Sequence, residues 1–126
     1  MKLNPDCIRD ILLDVEQFVT YSRPYDYLED SQEDNSFVAK YDEDTVLYHI
    51  RQCEETGYLL DVRWTVVGNC LIGDLSPDGH QFLADIREDT NWNKTKEIAK
   101  KVGSSSLSAL KDIATSVISS LIQKSF

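Results

Sequence analysis

His49 and Cys53 stand four residues apart, a spacing that brings two metal-ligating side chains together on one face of a helix. Cys7, Cys70 and His80 are the other residues able to join them. The spacing is common, and no Cys-x-x-Cys pair accompanies it. Cys53 is therefore read as core and His49 as a hydrogen-bonded or surface residue, with no metal or cofactor expected. His80 directly follows Gly79, and packing or hydrogen bonding near a helix start suits it better than acid–base catalysis. The chain has no glycine-rich phosphate loop, no nucleophile elbow and no zinc-hydrolase helix. Its carboxylates are numerous but unpatterned, so an enzyme is not expected.

Charge is the stronger signal. The formal net charge is −9 over 126 residues, unevenly placed. Residues 1–90 hold 7 basic and 20 acidic side chains, whereas residues 91–126 hold 6 and 2. An acidic body that repels phosphate thus carries a mildly basic tail. Two acidic clusters, Glu29, Asp30, Glu33 and Asp34, then Asp42, Glu43 and Asp44, form a candidate surface for a basic protein partner. The candidate nucleic-acid contacts are Arg51 and Gln52 on one helix and Lys94, Lys96, Lys100 and Lys101 on another. Around Arg51 the same helix bears Asp42, Glu43, Asp44, Glu54 and Glu55, a poor face for reading DNA. Three cysteines without close spacing read as free thiols in a reducing compartment. With no membrane-length apolar run and no signal-peptide pattern, a cytoplasmic protein is expected, with no membrane partner.

These residues must be positioned by short, well-punctuated elements. Residues 58–75 predict a β-hairpin. Tyr58, Leu60, Val62, Trp64 and Val66 alternate with polar residues, and Gly68-Asn69 suits a two-residue turn. That turn would set Val66 opposite Leu71, Trp64 opposite Gly73, Val62 opposite Leu75 and Arg63 opposite Asp74. Asn4-Pro5-Asp6 opens a helix whose stripe is Ile8, Ile11, Leu12, Val15, Phe18 and Val19, with Asp10, Asp14 and Gln17 outward. Residues 20–36 read as an exposed acidic loop holding one short helical turn. Residues 37–41 alternate and predict a third, edge strand. Asp42 or Asp44 caps a helix to Thr56 with Val46, Leu47, Ile50 and Cys53 inward, and Gly57 ends it. Ser76-Pro77-Asp78 starts a third helix with Phe82, Leu83 and Ile86 inward, and Trp92, Thr95, Ala99 and Val102 line a fourth. Leu107, Leu110, Ala114, Val117 and Leu121 then repeat at coiled-coil spacing, a candidate homodimer interface.

The order helix, helix, Gly, two strands and the phrase Leu75-Ser76-Pro77-Asp78-Gly79-His80-Gln81-Phe82-Leu83 resembles a winged-helix domain. The chain also resembles a family of small bacterial and prophage proteins containing a domain of unknown function. Ile8-Arg9, Ile11-Leu12-Leu13, Glu16, Tyr48-His49 and Gly57 carry that resemblance. So do Leu75-Ser76, Gly79-His80, Phe82-Leu83, Ile86-Arg87, Asp89-Thr90, Trp92-Asn93-Lys94 and Lys96. The resemblance implies an α+β, winged-helix-like fold over residues 1–103 with a β-hairpin wing and C-terminal helices. A full helix-turn-helix would need a further helix from residues 24–36, and that segment is poorly suited to one, so the DNA-reading unit is expected to be incomplete. Residues 104–126 would be an amphipathic dimerisation helix. The expected function is a non-enzymatic regulatory or interaction protein that binds a protein partner through its acidic surface. The alternatives are a DNA-binding transcription regulator and a phage-encoded antagonist that mimics nucleic acid on a host protein.

Overall fold

The computed structural model describes residues 1–126 and is α+β, with six helices and one three-stranded antiparallel sheet. The elements run α1 (Pro5–Phe18), β1 (Tyr25–Asp26), α2 (Tyr27–Asp30), α3 (Glu43–Thr56), β2 (Leu59–Trp64) and β3 (Cys70–Leu75). Then follow α4 (Pro77–Ile86), α5 (Asp89–Val102) and α6 (Leu107–Lys124). The chain divides into two compact units, Met1–His80 and Gln81–Phe126. Helix α4 spans the boundary between them, and α5 and α6 both lie in the second unit.

In the first unit the helix starts follow the capping chemistry of the sequence. Asn4 accepts from the Asp6 amide at 3.0 Å with Pro5 behind it, and Asp42 accepts from the Thr45 amide at 2.8 Å. Ile8, Ile11, Leu12 and Val15 from α1 are buried with Val46, Ile50 and Cys53 from α3, and α1 also contacts β3. Leu47, expected inward, is only half-buried.

The sheet order is β1-β3-β2, and three expectations change here. First, the third strand is Tyr25–Asp26, paired with Ile72 and Leu71, while residues 37–41 form turns. The alternation in 37–41 is too short to hold a strand without a partner. Second, the hairpin register is shifted. Trp64 faces Cys70, Arg63 faces Leu71, Val62 faces Ile72, and Asp74 faces Leu60 rather than Arg63. The loop is longer than Gly68-Asn69: the Gly68 amide donates to the Thr65 carbonyl at 3.2 Å and the Thr65 amide to the Asn69 carbonyl at 3.0 Å. Gly68 has φ +84°, so a turn through Val66 and Val67 closes on a glycine bulge, which the two-residue reading lacked. Third, the alternation from Tyr58 to Val66 is not one buried face. Asp61 has φ +52°, and burial passes from Leu59 on one side of it to the half-buried Val62 and Trp64 on the other, while Leu60 and Val66 are exposed. Gly73 makes room for this kink, since a Cβ there would stand 2.9 Å from the Asp61 Cβ.

Residues 20–36 are not a solvated loop. Tyr25, Tyr27, Asp30 and Ser31 are buried, and α2 is the short helical turn expected of this segment. The anchors are Asp10 and Asp14, which the helical pattern had placed outward. Asp14, fully buried, accepts from the Tyr25 hydroxyl at 2.6 Å, the Phe37 amide at 2.7 Å, the Ser36 hydroxyl at 2.8 Å and the Gln17 amide group at 3.0 Å. Asp10 accepts from the Tyr41 hydroxyl at 2.7 Å and pairs with Lys40 at 3.0 Å. Buried carboxylates are tolerable where donors surround them, and this loop supplies the donors.

The second unit holds the rest of α4 with α5 and α6. Ser106 caps α6 by accepting from the Ala109 amide at 3.1 Å. Trp92, Thr95 and Ala99 of α5 and Leu107, Leu110, Ala114 and Val117 of α6 are buried, and the two helices pack against each other.

Candidate functional site

One surface feature of the first unit lies where α3 meets β2. The Arg51 guanidinium carbon stands 5.0 Å above the centroid of the Trp64 ring. The Trp64 indole Nε1 donates to the Glu54 carboxylate at 2.9 Å. Leu47 and Tyr48 complete a shallow groove with Arg51 and Trp64. Helical spacing brings Leu47, Tyr48, Arg51 and Glu54 to one side of α3, and strand alternation brings Trp64 to meet them. The arrangement is an aromatic platform whose ring face meets the Arg51 cation and whose N–H meets the Glu54 carboxylate.

The candidate nucleic-acid contacts lie on helices of two different units. Arg51 and the half-buried Gln52 sit on α3, whereas Lys94, Lys96, Lys100 and Lys101 sit on α5 in the other unit. Lys96 lies 5.5 Å over the Trp92 ring and Lys101 pairs with Glu97 at 3.3 Å. Lys94 lines an apolar groove between α5 and α6 with Ile98, Ile113 and Val117.

Most of the candidate acidic surface is exposed, namely Glu29, Glu33, Asp34, Asp42, Glu43 and Asp44. Asp30 is a correction. It is buried, grips Arg23 through two hydrogen bonds of 2.7 and 3.0 Å, and accepts from the Asp26 amide at 2.8 Å. Thr45 holds the Asp42 carboxyl below the usual carboxylate range. The candidate dimer interface changes more. Leu107, Leu110, Ala114 and Val117 are covered within the chain, and of that seam only Leu121 remains exposed. Apolar spacing along α6 specified a partner helix, and that helix is α5.

His49 is buried with both ring nitrogens engaged. Its Nε2 accepts from the Asn4 amide at 2.8 Å, and its Nδ1 donates to the Thr45 carbonyl at 2.7 Å, which assigns the neutral Nδ1–H tautomer. It therefore ties the N-terminus of α1 to α3 and has no lone pair left for a metal. No group of three or more His, Cys, Asp or Glu side chains is arranged to hold a metal ion. Burial pushes the Cys7 and Cys70 thiols up to about 12 and raises Cys53 further, the reverse of an activated nucleophile. No helix is long and apolar enough to cross a membrane.

The phrase from Leu75 to Gly79 has a structural cause. The Ser76 hydroxyl donates to the Gly57 carbonyl at 2.5 Å and accepts from the Gly79 amide at 3.0 Å, joining the end of α3 to the start of α4. A Cβ at Gly79 would collide with the Tyr58 carbonyl oxygen, so only glycine fits.

Fold and surface together define a small α+β protein built on a helix-flanked antiparallel sheet. Comparison assigns it further: a hypothetical-protein family, DUF2513, matches residues 2–106, and the chain belongs to that family. An uncharacterized protein of Haemophilus influenzae (strain ATCC 51907 / DSM 11121 / KW20 / Rd) is 30% identical over 125 residues, covering 97% of this chain and 99% of the relative. No solved structure matches the chain.

Proposed function

We propose that Met1–His80 is a winged-helix-like domain acting as a non-enzymatic regulatory or interaction module, which binds a protein partner through its acidic surface. The element order α1-β1-α2-α3-β2-β3, with β3 between β1 and β2, supports the winged-helix part of this reading. In that arrangement α2 and α3 stand as the helix-turn-helix pair, α3 as the recognition helix and the β2–β3 hairpin as the wing. Residues 24–36 contribute only α2, a single turn at Tyr27–Asp30, where a winged helix has a full helix. The Haemophilus relative supports a bacterial setting, to which a prophage origin would be a refinement.

The observation that carries the functional reading is the state of Arg51. It is the one cation on α3, and it lies over Trp64 in a platform closed by Glu54. Glu43, Asp44 and Glu55 are the other exposed charges of that helix. Such a face repels phosphate and suits a partner protein with cations of its own. Fold likeness to DNA-binding domains carries no function by itself. Titrating labelled mixed-sequence duplex DNA at low salt, followed by fluorescence anisotropy, tests this. No salt-sensitive rise is expected. A rise that Arg51→Ala abolishes would replace this reading with that of a transcription regulator.

A further inference from the structure

We infer that the tip of the β2–β3 hairpin, with α2 and the first turn of α3, docks a partner-protein segment bearing an apolar side chain flanked by lysine or arginine. This rests on the reading above and names its surface and its partner chemistry.

Three elements converge there. The Asn69 side chain accepts from the Leu28 amide at 3.0 Å and donates to Asp26 at 2.9 Å, so the hairpin is latched to the start of α2. Glu43 approaches the other side, its Oε1 4.0 Å from the place of a Cβ on Gly68. The corner is therefore held on its Asn69 side, with Glu43 close to the glycine of the turn. On it, Val66 and Val67 are 105% and 78% exposed, and Leu28 is 44% exposed.

Single apolar side chains on a surface need no explanation. Here two adjacent β-branched residues occupy a turn where polar residues are the norm, and a leucine stands on the segment latched to it. Glu29 follows Leu28 in α2, and Glu43, near Gly68, is followed by Asp44; all three are exposed. Arg23, the cation of the neighbouring loop, is held by Asp30 and reaches the exposed Glu29 at 3.9 Å, which leaves Glu43 and Asp44 as the rim anions that meet no cation. An apolar centre with an anionic rim is complementary to an apolar side chain between cations. The whole unit points the same way, with 6 basic against 17 acidic residues in Met1–His80. Like charge disfavours the same unit of a second copy, and nucleic acid for the same reason.

Selecting a displayed library of random dodecapeptides on the full chain tests this. Enriched peptides should carry lysine or arginine beside leucine, isoleucine, phenylalanine or tryptophan. Resynthesised with a fluorophore, they should bind less tightly as salt rises. The Val66→Ser/Val67→Ser double variant should lose about tenfold in affinity, and Glu43→Gln/Asp44→Asn should flatten the salt dependence. Both variants alter exposed positions, and an unchanged thermal melt verifies their folding. No enrichment, enriched peptides without cations, or binding indifferent to both variants would overturn the inference. So would a solution mass that doubles in the wild type and reverts in the valine variant, since the occupant would then be a second copy. If DNA is not bound and the peptides ignore the valines, this surface fails while the interaction reading stands. Salt-sensitive DNA binding removes the reading itself.

Discussion

Arg51 lies over Trp64, 5.0 Å from guanidinium carbon to ring centroid, and the indole N–H of that ring donates to Glu54 at 2.9 Å. A cation spent on its own protein's indole is poorly placed to read a base edge. The contact should also be worth something to the fold. Arg51 is exposed, so Arg51→Ala should cost about 0.5–1 kcal/mol. Urea denaturation followed by tryptophan fluorescence measures it, and a cost near zero would mean the arginine is available to a partner.

Asp14 holds the segment between α1 and α3 in place. Asp14→Ala strands the Tyr25 hydroxyl, the Phe37 amide and the Ser36 hydroxyl, and should destabilise by about 3 kcal/mol or more. Tyr25→Phe removes one of those donors and should cost about 1–2 kcal/mol. The comparison by chemical denaturation separates a hub from a single bond, and equal costs would deny the hub.

Gly79→Ala is expected to destabilise by about 2 kcal/mol or more, because the new Cβ meets the Tyr58 backbone carbonyl rather than a side chain that can turn away. A melting temperature within about one degree of wild type would contradict the packing described at this junction.

Asp85 is buried on α4, and that burial raises its carboxyl pKa, partly countered by Gln81 at 3.2 Å. A raised folded-state pKa means that the fold favours the protonated acid. Its contribution is present at low pH and is lost as pH rises through the folded value. Asp85→Asn should therefore raise the melting temperature at neutral pH. The gain should vanish below the ordinary carboxylate range, where the wild-type side chain is itself protonated. A gain independent of pH would point to packing instead.

The three thiols are buried, and burial raises their pKa values. In native protein they should resist an aromatic disulfide reagent, and all three should react at once in denaturant. Fast native labelling of any one would contradict its placement.

Much of this was readable from residue type and spacing. Caps at Asn4 and Asp42, glycine at Gly57 and the stripe through Ile8, Ile11, Leu12 and Val15 located the first and third helices. What escaped has physical reasons. Gly68-Asn69 is a sound turn signal, but a longer loop closed on a glycine bulge uses the same glycine, and the register moved with it. A two-residue strand such as Tyr25–Asp26 is too short to show a period. Asp10 and Asp14 fall on the helix face beside Cys7 and Ile11, and their charge hid that position. The donors that make it tolerable, Tyr25, Ser36 and Tyr41, lie more than ten residues away. In α6 the heptad spacing announced a helical partner without saying whether it belonged to the same chain. For the site, the acidic clusters were visible in the sequence. The Arg51–Trp64 platform and the latched hairpin tip were not, since each depends on contacts between separate elements.

The most direct measurement follows the two tryptophan indole N–H signals by ¹⁵N–¹H correlation spectroscopy while duplex DNA is added at low salt. Trp64 sits in the α3–β2 groove and Trp92 is buried in the other unit, so the second serves as an internal control. Both signals should stay in place through the DNA titration. Repeating it with a basic, apolar-anchored peptide should shift amides of Leu28, Val66 and Val67. A DNA-dependent shift of the Trp64 signal, with Trp92 unmoved, would contradict the protein-binding reading and place nucleic acid on α3.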